Sequence, residues 1–201
     1  MRKGIFPEPL RRFLVSDGPW CVSSALWKRD AIEKIGGFNE AIMYGDDADL
    51  HIRALLKGLK YEEYPDAKPD VYIRRSEVAR ITKGCSPRLL ESRRTRLTEG
   101  TKALRHFQSS NELLKLWEGQ YFVEGEFIVF NQENPSSELL ALKKLWAADF
   151  NNRAFQKRLA YCYWHFCVIF RSRFYLAVRL ARRLAFLAFP SEWFPSHLKS
   201  A

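Results

Sequence analysis

The four cysteines of this 201-residue chain, Cys21, Cys85, Cys162 and Cys167, form no CxxC pair and stand at no ligand spacing from His51, His106, His165 or His197. That excludes the usual zinc patterns and predicts buried, reduced thiols in a reducing compartment. Long apolar runs are missing too. The longest uncharged stretch, Leu159 to Phe170, falls well short of the ~18 residues that a spanning helix needs. At the N-terminus, "MRKGIFPEPLRRFLVSDG" is interrupted by Pro7, Glu8, Pro9, Arg11 and Arg12, so no signal peptide is expected there. Acidic residues are scarce at the other end. Residues 151–201 carry nine Lys/Arg against one acid, Glu192, and so hold eight of the ten net positive charges. What is abundant is apolar and aromatic content, 47% and 14%, enough for a core and against wholesale disorder. The length fits one domain, or a small domain with an appendage.

Negative charge is concentrated where the basic balance makes it least expected. "MYGDDADLHIRALLKG", Met43 to Gly58, holds three aspartates in four positions ahead of a helical pattern. Ala48, Ile52, Leu55, Leu56 and Leu59 recur at i, i+4, i+7, i+8 and i+11, one apolar face. Asp46 occupies an N-cap position, Asp49 the acidic third position of a capping box, and Asp49 and Arg53 an i, i+4 ion pair. Capping accounts for Asp46 and Asp49 and leaves Asp47 over. A calcium loop begun at Asp47 would want Gly at its sixth position and Glu at its twelfth, where the chain has Ile52 and Gly58. A general base fits better: the helix field favours a carboxylate there, and a loop-to-helix junction presents it outward.

Upstream, "CVSSALW" (Cys21 to Trp27) reads as a strand feeding a short helix in "KRDAIEKIGGF". Asp30 suits that helix's first turn, Gly36 a left-handed stop, and Phe38 a side chain folding back on it. "LKYEEYP" and "DVYIRR" read as two further strands about a turn with Pro65 and Pro69. From Ser86 onward the pattern is helical, near 87–107, 111–130, 136–148, 153–170 and 172–189, with the clearest break at "ENPSSE".

The run Ser24 to Pro65 resembles the C-terminal half of a GT-A glycosyltransferase domain of family 2 type, with the galactosyltransferase-type domain as a close cousin. The resemblance rests on Arg29, Ala31, Gly36, Gly37, Phe38, Asn39 and Glu40, then Asp46, Asp47, Asp49, Leu50 and Arg53, then Ala54 and Gly58, in order and spacing. It implies an α/β fold: a partial, Rossmann-like GT-A domain lacking its nucleotide-binding half over residues 1–85, a helical extension over 86–150, and a basic aromatic tail over 151–201. It implies that Asp47 is the base that takes a proton from an acceptor hydroxyl, with inversion at the donor sugar. Asp46 and Trp20 would contact the acceptor, and Asp49 and Arg53 would support the site. The substrates implied are a nucleotide-sugar and a hydroxyl acceptor of envelope polysaccharide or glycolipid synthesis.

The complete family enzyme also uses a divalent cation, Mg or Mn, and no ligand for it is identified in this chain. About twenty residues precede Cys21, with no Gly-rich turn and no Asp-x-Asp, and "YIRRSEVARIT" offers Arg74, Arg75 and Ser76 where relatives place a histidine. Arg74 or Arg75 is a candidate phosphate contact, against the plainer reading of solvated strand-end charge. The expectation is therefore an acceptor half, inactive alone, which is a truncated product, an internal-start fragment or one piece of a split enzyme. The alternative is a non-catalytic membrane- or partner-binding protein derived from such an enzyme.

The tail has two readings. On a helical wheel for "RSRFYLAVRLARRLAFLAF", Arg171, Arg179, Arg182 and Arg183 gather on one side, and Leu176, Leu180, Leu184 and Leu187 occupy much of the rest. That suits an interfacial helix in the 159–194 region, with Phe189, Trp193 and Phe194 as belt residues. It places the protein in the cytoplasm, peripheral at the inner membrane face. The plainer reading is a helical hairpin on the domain with its arginines in water. No nucleic-acid motif is present, and none is expected as a partner. Apolar surface left where a donor half would pack implies self-association or a complementing partner.

Overall fold

A computed structural model describes residues 6–62, 86–107, 110–151, 154–171 and 174–193. These residues form eight α-helices and two 3-10 turns and include no strand, so the expected α/β, Rossmann-like class is corrected to an all-helical fold. At Cys21–Trp27 the backbone takes a 3-10 turn, Val22–Ser24, in place of a strand. Both the N–H and the hydroxyl of Ser24 donate to the Cys21 carbonyl, at 3.1 and 2.8 Å. Short polar side chains compete in this way for the groups a sheet would use. Leu26 is fully exposed, as an unpaired segment permits. Leu59 to Glu62 leave the third helix without regular structure. The rest of that expected strand, the strand at Asp70–Arg75, Ser76 and Cys85 lie outside the described residues. Of the three cysteines within them, Cys21 and Cys162 are exposed and Cys167 alone is buried, against the expectation of buried thiols.

Three short helices come first: α1 (Pro9–Leu14), α2 (Arg29–Ile35) and α3 (Asp46–Leu56). Sequence periodicity points to α2 and α3 but not to α1, which starts on a proline suited to a first turn. Five longer helices follow where the pattern places them: α4 (Pro87–Arg105), α5 (Ser110–Asn131), α6 (Ser136–Asp149), α7 (Ala154–Phe170) and α8 (Tyr175–Ala188). Helix α5 is the spine, packing against α1, α4, α6, α7 and the 3-10 turn Ser191–Trp193.

Because α5 is enclosed on so many sides, its polar residues need partners in the protein. Glu118 accepts from Trp146 Nε1 at 3.0 Å, and Gln120 donates to the Leu14 carbonyl at 2.9 Å. Tyr121 donates to Asp149 at 2.6 Å, and Glu126 accepts from Tyr163 at 2.7 Å. The surrounding core is rich in tryptophan: Trp117, Trp146, Trp164 and Trp193 are all but inaccessible. Phe189 and Trp193 pack face to face within it, ring centroids 5.6 Å apart, so neither is the interfacial belt residue expected. Phe194 lies outside the described residues.

Glycines make room for these indoles. A Cβ on Gly100 would stand 2.2 Å from Trp117, one on Gly119 2.7 Å from Trp193, and one on Gly125 2.1 Å from Trp164. A mid-helix glycine costs about 1 kcal/mol, whereas burying ~200 Å² of indole contributes about 5 kcal/mol before entropy. Packing therefore outweighs propensity at these sites. Gly125→Ala, which improves intrinsic helicity, is expected to lower stability by about 1–3 kcal/mol through overpacking. A urea midpoint equal to or above that of the parent would show that Trp164 has room to move.

Candidate functional site

The site begins with the way α2 ends. Gly36 stops the helix in the left-handed region at φ 82°, and the Gly37 N–H returns to the Ile32 carbonyl at 3.0 Å. The last carbonyls of α2 then point at a cation from α3. Arg53 donates to the Ile35 carbonyl at 2.7 Å, to the Gly37 carbonyl at 2.8 Å and to Asp49 Oδ2 at 2.8 Å. Lys57 adds a bond to the Lys34 carbonyl at 2.8 Å. Gly36, Gly37, Asp49 and Arg53, separate letters of one sequence pattern, thus form a single joint. Burial lifts the Asp49 carboxyl above its ordinary range while Arg53 pulls the other way. Phe38, the side chain expected to fold back on α2, is half exposed.

The N-terminus of α3 departs from the capping pattern. Its N-cap is Gly45, at φ 72°, and Asp46 is the first helical residue, with no side-chain cap. Asp49 gives its backbone N–H to the Gly45 carbonyl and its carboxylate to Arg53, so it closes no capping box. Besides that left-handed φ, α4 favours glycine at position 45: a Cβ there would stand 2.9 Å from Cδ of Arg96. Arg96 is buried and donates to Gln120 at 3.2 Å. One turn earlier, Arg93 Nε meets both oxygens of Glu124 at 2.7 and 2.8 Å. Its guanidinium lies between the rings of Tyr44 and Phe127, 4.0 and 3.7 Å from their centroids. The Met43 N–H donates to Ser92 at 2.6 Å. Burial disfavours the charge on Arg96, and Glu124 and Asp49 favour it. The acidic turn is answered by buried arginine from another helix.

Asp46 and Asp47 remain. Both are partly exposed, and neither pairs with a cation among the described residues. Asp47 Oδ1 accepts from the adjoining Ala48 N–H at 2.8 Å. One turn on, His51 is buried, stacked 4.9 Å from Phe13 and 5.3 Å from Trp27. Trp20 Nε1 donates to His51 Nδ1 at 3.2 Å, which leaves the ring proton on Nε2. Trp20 also touches Tyr61, at 5.2 Å between ring centroids. Burial holds His51 below its ordinary pKa against the opposing pull of Asp47. Trp20 and Asp47 are therefore neighbours through His51, in an aromatic cluster beside the acidic turn.

The expected site residues Trp20, Asp46, Asp47, Asp49 and Arg53 fall within one small region, whereas Arg74 and Arg75 lie outside the described residues. Among the described residues no group of three or more His, Cys, Asp or Glu could hold a metal, and Asp49 is already committed to Arg53. Among the described residues, then, the acidic run offers no ligand set for the divalent cation of the resemblance. An open groove of about 540 Å³ between α4 and α6 is lined by residues such as Arg94, Thr98 and Lys144 and includes none of the acidic run. Sequence reasoning missed Arg93, Arg96 and His51. The first two stand i, i+3 on the side of α4 that carries Leu89, Leu90 and Leu97, a signal of buried charge. His51 lies four residues after Asp47, on the same face of α3. No protein-family model, no curated protein and no solved structure matches the chain.

Arg53→Lys keeps the charge but cannot span two carbonyls and a carboxylate, and is expected to cost about 2 kcal/mol in urea unfolding. Parental stability in that variant would mean that the fork geometry is dispensable. For His51, the folded pKa lies below the unfolded value of about 6.5, so its contribution is whole above that pH and is lost as pH falls. The melting temperature of the parent minus that of His51→Gln should therefore decline from pH 7.5 to 5.5, and a flat difference would contradict the assignment.

Proposed function

We propose that the Ser24–Pro65 segment is the acceptor side of a sugar-transfer site, with Asp47 as general base. The observation that carries this reading is the placement of Asp47. Its partly exposed carboxylate has no cation partner among the described residues and stands at the start of a helix locked by Arg53 and set against Arg96. In the reaction, Asp47 takes the proton of the acceptor hydroxyl as that oxygen bonds to the anomeric carbon of the donor sugar. The bond to the nucleoside diphosphate breaks on the opposite face, its electron pair leaves with the phosphate, and configuration inverts. In this reading Asp46 and Trp20 contact the acceptor, and Asp49 and Arg53 act by positioning. The nucleotide-sugar is held elsewhere, so the chain alone is expected to be inactive. No step is assigned to a metal. The reading puts the protein in the cytoplasm, peripheral at the inner membrane face, where a lipid-linked acceptor is within reach.

A second reading, a non-catalytic membrane- or partner-binding protein of the same descent, draws support from the Asp47–Ala48 hydrogen bond, which a helix start explains unaided. The two part on one substitution. With the chain joined to a nucleotide-sugar-binding donor half as a full enzyme, sugar incorporation from labelled nucleotide-sugars is expected to fall at least ~100-fold with Asp47→Asn, while the melting temperature stays near the parental value. Undiminished incorporation by a folded variant would favour the second reading.

A further inference from the structure

We propose that α8 lies in the plane of an anionic lipid surface. No described helix is long and apolar enough to cross a membrane, so the question is what the outer face of α8 meets. Its orientation is fixed from inside. Val178 and Ala185 are buried, and Arg182 pairs with Glu126 of α5 at 3.3 Å. At 3.6 residues per turn the opposite side carries Leu176, Leu180, Leu184 and Leu187, a ridge ~16 Å long. These four leucines are between 57% and 84% exposed. Arg179 and Arg183, both exposed, border the ridge along one edge.

The sequence wheel grouped four arginines; the structure divides them. Arg171 donates to the carbonyls of Val129 and Glu133 and Arg182 to Glu126, which leaves Arg179 and Arg183 facing out. An apolar ridge with cations along its border is the layout that seats leucines at the acyl boundary and guanidiniums at anionic headgroups. Charge also selects among occupants. Helix α8 has no acidic residue, so a second copy laid against it would bring arginines toward arginines without a counter-charge. An anionic bilayer supplies that charge and the apolar interior together. The inference stands on α8 alone and does not depend on Asp47 being a base.

Flotation of the full chain with vesicles tests it, comparing pure phosphatidylcholine with phosphatidylcholine containing about one-third phosphatidylglycerol. Flotation is expected on the anionic vesicles at low salt, to weaken at about 0.5 M salt, and to be absent on the neutral ones. The pair Arg179→Glu and Arg183→Glu, and separately Leu180→Glu and Leu184→Glu, should each cut partitioning at least ~10-fold with far-UV circular dichroism unchanged. The wild type, tested alone across lipid and salt, decides the matter even where a variant misfolds. Failure to float at low salt, equal flotation on both lipids, or indifference to either pair overturns the proposal. A leucine-dependent dimer in lipid-free sedimentation would overturn it in favour of a second copy.

Discussion

A guanidinium taken out of water costs several kcal/mol unless it is paired, and the pairing of buried Arg93 draws on three separate parts of the chain. Glu124 supplies both carboxylate oxygens to Arg93 Nε, and Tyr44 and Phe127 cover the two faces of the plane. Tyr44 belongs to the loop before α3, Glu124 and Phe127 to α5, and Arg93 to α4. One buried ion therefore ties the short N-terminal helices to the bundle. With the loop fixed at Tyr44, Gly45 is pressed against Arg96, and the acidic turn begins beside a second buried cation.

The Arg53 joint works at the other end of the same helix. Where α4 and α5 fix the start of α3, Arg53 fixes its body to the end of α2 through two carbonyls and Asp49. A helix start held from both sides can present a side chain without rearranging, which a catalytic base requires more than a cap does. The aromatic cluster of Phe13, Trp20, Trp27 and His51 covers the neighbouring face of α3, and the Trp20 indole sets the proton position on His51.

How much of this was legible depends on the range of the interaction. The stop at Gly36, the Asp49–Arg53 pair and the five long helices are local, and sequence spacing shows them. At Cys21–Trp27, Val22 and Trp27 are types that suit a sheet face, but such fitness means little without a neighbouring strand, and the described residues supply none. The capping assignment failed because the cap sits at φ 72°, which favours glycine, and because a Cβ there would also meet Arg96, fifty residues beyond Asp46; the aspartate takes the first turn instead. Likewise Phe189 and Trp193 suit an interfacial belt by type, but both are buried, the Trp193 indole against Gly119 of α5, a long-range contact that residue type does not show.

Why, then, does the chain keep Asp47? The helix field favours a carboxylate in the first turn by about 0.3–1 kcal/mol. A like charge opposes it, by about 0.6 kcal/mol for each neighbouring carboxylate if a separation of about 7 Å and the dielectric of water are taken. The two effects cancel to within their own size. Asp49 is repaid by Arg53, yet no cation among the described residues does the same for Asp47, and its bond to Ala48 N–H is one that Ser, Thr or Asn could make as well. Stability alone thus gives little reason for a third acid at this position, and a proton-accepting role gives a direct one.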